Sequence, residues 1–151
     1  MNILAEARRA RVLVVDDDPL VLELVVTRLD LAGYQSLRAR DGFEAIERLR
    51  EITPSAMVLD INMPRFDGFD VLRTMSELGL LARVPTMVLT ARNQPADVQK
   101  AIDLGASDFL AKPFKDQQLL ARVARLLRQP RAPSQPVTPG VATMAQAIYG
   151  V

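Results

Sequence analysis

VLVVDDDP, residues 12–19, joins a strand to a helix. Val12–Val15 is an unbroken β-branched and aliphatic run, the pattern of a strand buried on both faces. Asp18-Pro19 then sets a capping residue before a proline at the first helical position, a helix-start signature. Val21, Leu22, Val25 and Leu29 follow on one helical face until Gly33 ends the helix. Asp16 and Asp17 stand at the turn between the two elements, where a strand meets solvent.

Working outward, the same unit recurs. Ser36–Arg40 is a more polar strand, expected at a sheet edge, and Asp41 caps a helix with Phe43, Ile46 and Leu49 inward, broken at Thr53-Pro54. Ala56–Ile61 is a third strand, followed by an irregular stretch over Asn62–Gly68 and a helix marked by Phe69, Leu72 and Met75 that ends near Gly79. Val84–Leu89 precedes a helix over Pro95–Leu104, closed by Gly105. Ser107–Ala111 precedes the last helix, Lys115–Arg128, with Leu119, Leu120, Val123, Leu126 and Leu127 on its apolar face. Five such units over residues 11–128 predict an α/β fold: a doubly wound parallel sheet with helices on both faces.

Residues 1–10 read as an N-terminal extension. Pro130, Pro133, Pro136 and Pro139 recur every third position, so 129–140 reads as a stiff, extended linker with polyproline II character. Residues 141–151 form a short, uncharged apolar segment that could be helical but would be marginal alone.

Composition removes many functions. Among 151 residues, 49% are apolar and 25% charged, which suits one globular domain with a real core. Cysteine and histidine are both absent, excluding disulfides, Cys/His zinc sites, cysteine nucleophiles and histidine general bases. The net charge of +1 predicts no direct nucleic-acid or membrane partner. No apolar run approaches the ~20 residues of a membrane span, and the opening lacks signal-peptide order, so a soluble cytoplasmic protein is the expectation.

In an open parallel sheet, function gathers at the carboxyl ends of the strands. There the chain supplies Asp16, Asp17 and Asp18 after the first strand, Asp60 at the end of the third, Thr90 after the fourth and Lys112-Pro113 after the fifth. Each has a plain alternative: Asp18 is a helix cap, Thr90 a polar strand end, Lys112 a surface lysine. Their arrival at one edge is harder to dismiss. Two carboxylates ~4 Å apart repel by about 4 kcal/mol at an effective dielectric of ~20. Three such acids need a cation, or some of them must be protonated, and oxygen ligands in this number suit Mg²⁺. A carboxylate, a hydroxyl, a lysine and Mg²⁺ are the parts needed to form an acyl phosphate, with Asp60 as the nucleophile and Asp16 and Asp17 as a metal-holding pair.

VLVVDDDP, MVLDINMPRFDG (57–68), MVLTA (87–91) and FLAKPF (109–114), in this order and spacing, resemble the receiver domain of two-component response regulators, the CheY-like superfamily. The resemblance covers about residues 11–128. It implies a flavodoxin-like sheet of order 2-1-3-4-5 and phosphorylation of Asp60 by a histidine kinase or histidine phosphotransfer protein. It also implies Mg²⁺ held by Asp17 and Asp60, by Asp16 usually through water, and by the backbone carbonyl of Asn62. Thr90 and Lys112 would engage the phosphoryl oxygens, with backbone amides of Asn62 and Ala91 as further donors. Pro113 would follow a cis peptide bond. Thr90 and Phe109 would form the switch that alters the face of helix four, strand five and helix five. The side chains of Asn62 and Arg92 would flank the pocket and influence hydrolysis.

The resemblance implies a phosphoacceptor switch rather than a turnover enzyme. With no room for an effector domain after residue 128, the chain is expected to be a stand-alone receiver or the first part of a longer regulator. Two other readings stay open: a receiver that docks without phosphate, and a haloacid-dehalogenase-like phosphatase, for which Asp16-Asp17-Asp18 supplies the D-x-D pattern. A homodimer through helix four, strand five and helix five is a further expectation, with Asp108 and Arg122 either pairing across a two-fold axis or serving as ordinary surface charges.

Overall fold

The computed structural model describes residues 9–130. Most of the expected N-terminal extension, the linker beyond Pro130 and the 141–151 segment lie outside the described residues. The elements are β1 (Arg11–Val15), α1 (Pro19–Leu31), β2 (Gln35–Ala39), α2 (Gly42–Glu51), β3 (Ala56–Leu59), α3 (Gly68–Glu77), β4 (Thr86–Thr90), α4 (Pro95–Asp103), β5 (Asp108–Ala111) and α5 (Asp116–Leu127). All strand pairs are parallel, in the order β2-β1-β3-β4-β5. This is the doubly wound sheet that the alternating pattern predicted, with β2 at an edge as its polarity required.

Because strand side chains alternate between faces, each strand contributes to two separate cores. Leu13, Val15, Met57, Leu59 and Val88 pack with Ala45, Ile46 and Leu49 of α2, Phe69, Val71, Leu72 and Met75 of α3, and Ala101 of α4. Val12, Val14, Val58, Met87, Leu89 and Leu110 pack on the other face with Leu22, Val25, Val26 and Leu29 of α1 and Leu119, Val123 and Leu126 of α5.

Local signals set the helix starts. Asp18 Oδ1 accepts from the Leu20 N–H at 3.0 Å, and Asp41 Oδ1 accepts from the Glu44 N–H at 2.8 Å. Asp67 and Asp70 form a reciprocal capping box that starts α3 at Gly68, inside the stretch expected to be irregular. Most element ends differ from the sequence reading by one residue, the usual latitude of a fraying terminus. Two strands differ by two residues: the third stops at Leu59 rather than Ile61, and the fourth starts at Thr86, since Val84 donates back to Leu80 in a turn and Pro85 has no N–H to give.

One core assignment fails. Phe43 was expected inward but is 54% exposed, its ring stacked on Phe66 at 4.9 Å between centroids. At 3.6 residues per turn, positions 43, 46 and 49 each slip about 60° around the helix, so all three cannot face the sheet. Gly42 takes the inner place instead, packed so closely that a Cβ there would stand 2.5 Å from Phe66.

Candidate functional site

Register brings the polar residues together. Val15 of β1 is level with Leu59 of β3, so Asp16 and Asp60 leave the sheet side by side. Leu59 is level with Val88, and Thr90 with Ala111, so Thr90 and Lys112 emerge along the same edge. Asp16 and Asp60 are 3% and 6% exposed, Thr90 is fully buried, and Asp17 is exposed.

Ligand oxygens of Asp16, Asp17 and Asp60 lie within 4.8 Å of one another. Lys112 Nζ donates to Asp16 Oδ2 at 2.7 Å and stands 3.7 Å from Asp60 Oδ2. Asp16 Oδ1 accepts from the Asp18 N–H at 2.9 Å, which aims the carboxylate, and Asp60 Oδ1 accepts from the Ile61 N–H at 2.8 Å. One ammonium among three carboxylates leaves negative charge uncompensated. The all-oxygen donor set fits a hard divalent cation such as Mg²⁺.

Burial pushes the Asp60 carboxyl up from its ordinary value. Lys112 opposes that shift, Asp16 adds to it, and the Thr90 hydroxyl and the Ile61 N–H draw it down as hydrogen-bond donors. A second positive charge beside Asp60 would favour the ionised, nucleophilic carboxylate.

The remaining residues singled out in the sequence fall as follows. Asn62 and Ala91 are exposed, each one or two positions beyond a strand-end residue of the pocket. The Lys112–Pro113 peptide is cis. Phe109 is half-buried against the core shared with α3 and α4. Asp18 serves as the α1 cap. Asp108 turns to its own chain: Arg122 Nη1 donates to Oδ1 and Arg125 Nη2 to Oδ2, each at 2.8 Å, so both oxygens are engaged without a second copy.

Sequence reasoning did not single out Asp97. This residue of the first turn of α4 is 8% exposed and accepts from Arg92 Nε at 2.8 Å. An acid five residues after an arginine was the available signal, and it is weak, because in a regular helix such a pair would not meet.

Comparison with known proteins agrees with the geometry. The family model described as the response regulator receiver domain matches residues 12–124. Response regulator MprA of Mycobacterium sp. (strain KMS) is 40% identical over 131 residues, covering 87% of this chain and 56% of its own. The structure of chemotaxis protein CheY4 from Vibrio cholerae superposes with a TM-score of 0.74 at 30% identity, covering 78% of this chain and 98% of that one. The signal receiver domain of a signal transduction histidine kinase from Syntrophus aciditrophicus gives a TM-score of 0.74 at 32% identity, covering 86% and 99%. The chain spans about half the length of the curated relatives it matches. Among the described residues, no helix is long and apolar enough to cross a membrane.

Proposed function

The chain belongs to the response regulator receiver domain family of two-component signalling, and on that premise we propose that it accepts a phosphoryl group on Asp60. The observation that carries this reading is a buried carboxylate at a central strand end, facing two further carboxylates and a lysine within one cluster.

The donor is a phosphohistidine of a histidine kinase or of a histidine phosphotransfer protein. An Asp60 oxygen attacks phosphorus, a P–O bond forms, the P–N bond breaks, and the departing imidazole nitrogen keeps the electron pair and is protonated. Such phosphate derives from ATP, which puts the exchange in the cytoplasm. Mg²⁺ would be held by Asp16, Asp17 and Asp60 with the Asn62 carbonyl, supplying charge neutralisation for the phosphoryl oxygens.

The chain's own groups do the rest. Lys112, already within reach of Asp60, neutralises a phosphoryl oxygen, and the Thr90 hydroxyl donates to another. Backbone amides of Asn62 and Ala91 supply further donors. When Thr90 is drawn to the phosphoryl group, Phe109 adjusts beside it and changes the face of α4, β5 and α5. The product is a switched surface rather than a released molecule, so the domain is not a turnover enzyme.

The test is intact-mass measurement after incubation with acetyl phosphate and Mg²⁺. One added phosphoryl mass is expected for wild type and none for Asp60→Asn. An undiminished gain in Asp60→Asn would overturn the assignment. Partner binding identical in wild type and Asp60→Asn would point instead to docking without phosphate.

A further inference from the structure

Arg92 ties the loop after β4 at two points. Its backbone N–H donates to Thr90 Oγ1 at 3.1 Å, and its Nε donates to Asp97 Oδ1 at 2.8 Å. Asp97 is nearly buried, and a carboxylate in that setting requires a partner. An acid in the first turn of a helix also benefits from the helix dipole. The dipole alone does not explain why a guanidinium from the preceding loop closes over it.

The clamp reaches the other side of the pocket through Phe69. The Arg92 guanidinium carbon lies 5.5 Å from the centroid of that ring, and Lys100 Nζ of α4 lies 4.3 Å from it. Phe69 is 1% exposed and directly follows Gly68, where a Cβ would stand 2.4 Å from the Asp60 carbonyl oxygen. The Asp60 backbone, the α3 start, the loop after Thr90 and the first turn of α4 are therefore one packed series.

We infer that Asp97 is a positioning residue for phosphoryl transfer to Asp60: by holding Arg92 against Phe69, it fixes the loop that follows Thr90 and carries Ala91. This rests on the phosphoacceptor reading above. Asp97 touches neither the carboxylate cluster nor Lys112 among the contacts described. Its effect runs through Arg92, and it should alter the rate of transfer without altering the metal ligands.

The experiment measures the initial rate of phosphorylation by acetyl phosphate at saturating Mg²⁺, together with Mg²⁺ affinity by titration calorimetry. In the transfer, acetate leaves with the electron pair of the broken P–O bond as an Asp60 oxygen forms its own bond to phosphorus. Asp97→Asn should slow transfer about tenfold, in line with the cost of misplacing a group near the reacting centre. Arg92→Ala should do the same. Its side chain is 45% exposed, so this variant keeps the fold if Asp97→Asn does not. The double variant should be no slower than either single one, since both break one contact. Mg²⁺ affinity should stay within about twofold throughout, because no metal ligand is touched.

Asp97→Asn reacting at the wild-type rate would overturn the inference and leave the Asp60 assignment standing. Multiplying rate losses in the double variant would overturn it too, as would a parallel fall in Mg²⁺ affinity. Wild type failing to take phosphate would overturn the Asp60 assignment and this inference together.

Discussion

The two ends of β4 carry the same residue type and opposite consequences. Thr86 and Thr90 are both fully buried. At the amino end, the Thr86 hydroxyl donates to the Val84 carbonyl at 3.0 Å, so its polarity is settled within three residues. At the carboxyl end, Thr90 Oγ1 accepts from the Arg92 N–H and its hydroxyl acts on Asp60, within a cluster in which Asp16 and Asp60 are themselves nearly buried. Polarity at one end closes on itself, while at the other it faces the carboxylates of Asp16 and Asp60 and the ammonium of Lys112. Between them, Met87, Val88 and Leu89 are buried and apolar, so the strand body is where burial is expected to stabilise the fold.

That division can be attacked in order of effect. Met57→Ala, in the fully buried body of β3, should cost about 2–5 kcal/mol in urea denaturation, because it leaves a cavity between the sheet and the α2–α3 layer. A cost below about 1 kcal/mol would show that the strand bodies are not where stability resides. Thr90→Val should reverse the pattern, with thermal stability little changed and phosphorylation from acetyl phosphate slowed about a hundredfold by loss of a donor. Unaltered kinetics would remove Thr90 from the site.

Asp60→Asn probes the contrast through pH. Burial raises the Asp60 carboxyl above its unfolded value, so the folded chain binds that proton more tightly than the unfolded chain. Stability from this group is fully present below the unfolded value and lost as pH climbs through the folded one. Asp60→Asn should therefore melt higher than wild type at neutral pH without Mg²⁺. The gap should close as the buffer is acidified, and also on adding Mg²⁺, which stabilises wild type by binding the folded state. A gap that widens on acidification would reverse the sign of the argument. The smallest effect belongs to Thr86→Val, which should cost about 1 kcal/mol and leave phosphorylation unchanged.

The fold was legible because its signals are local. Val12–Val15, the Asp18-Pro19 helix start and the glycines after α1, α3 and α4 each declare an element within a few residues, and all three glycines adopt positive φ. The pocket was legible because strand ends in a parallel sheet point one way, so Asp16, Asp60, Thr90 and Lys112 could be placed without knowing any distance. Features made by rotamers or by contacts distant in sequence were not legible. Lys112 takes Asp16 as its nearest partner 96 residues away, Asp108 takes two arginines of α5, and Arg92 folds over Phe69 to meet Asp97. The Asp67–Asp70 capping box lacked the usual Ser/Thr and Glu/Gln letters, and Phe43 was misplaced by a drift that a three-residue pattern hides.

The central claim is that Asp60, among the clustered acids, forms the acyl phosphate. Borohydride reduces an acyl phosphate to an alcohol, so trapping after reaction with acetyl phosphate and Mg²⁺, followed by peptide sequencing in the mass spectrometer, reads the position directly. Conversion of residue 60 to homoserine, dependent on Mg²⁺, is the predicted result. Homoserine at position 16 or 17 with residue 60 intact would contradict it.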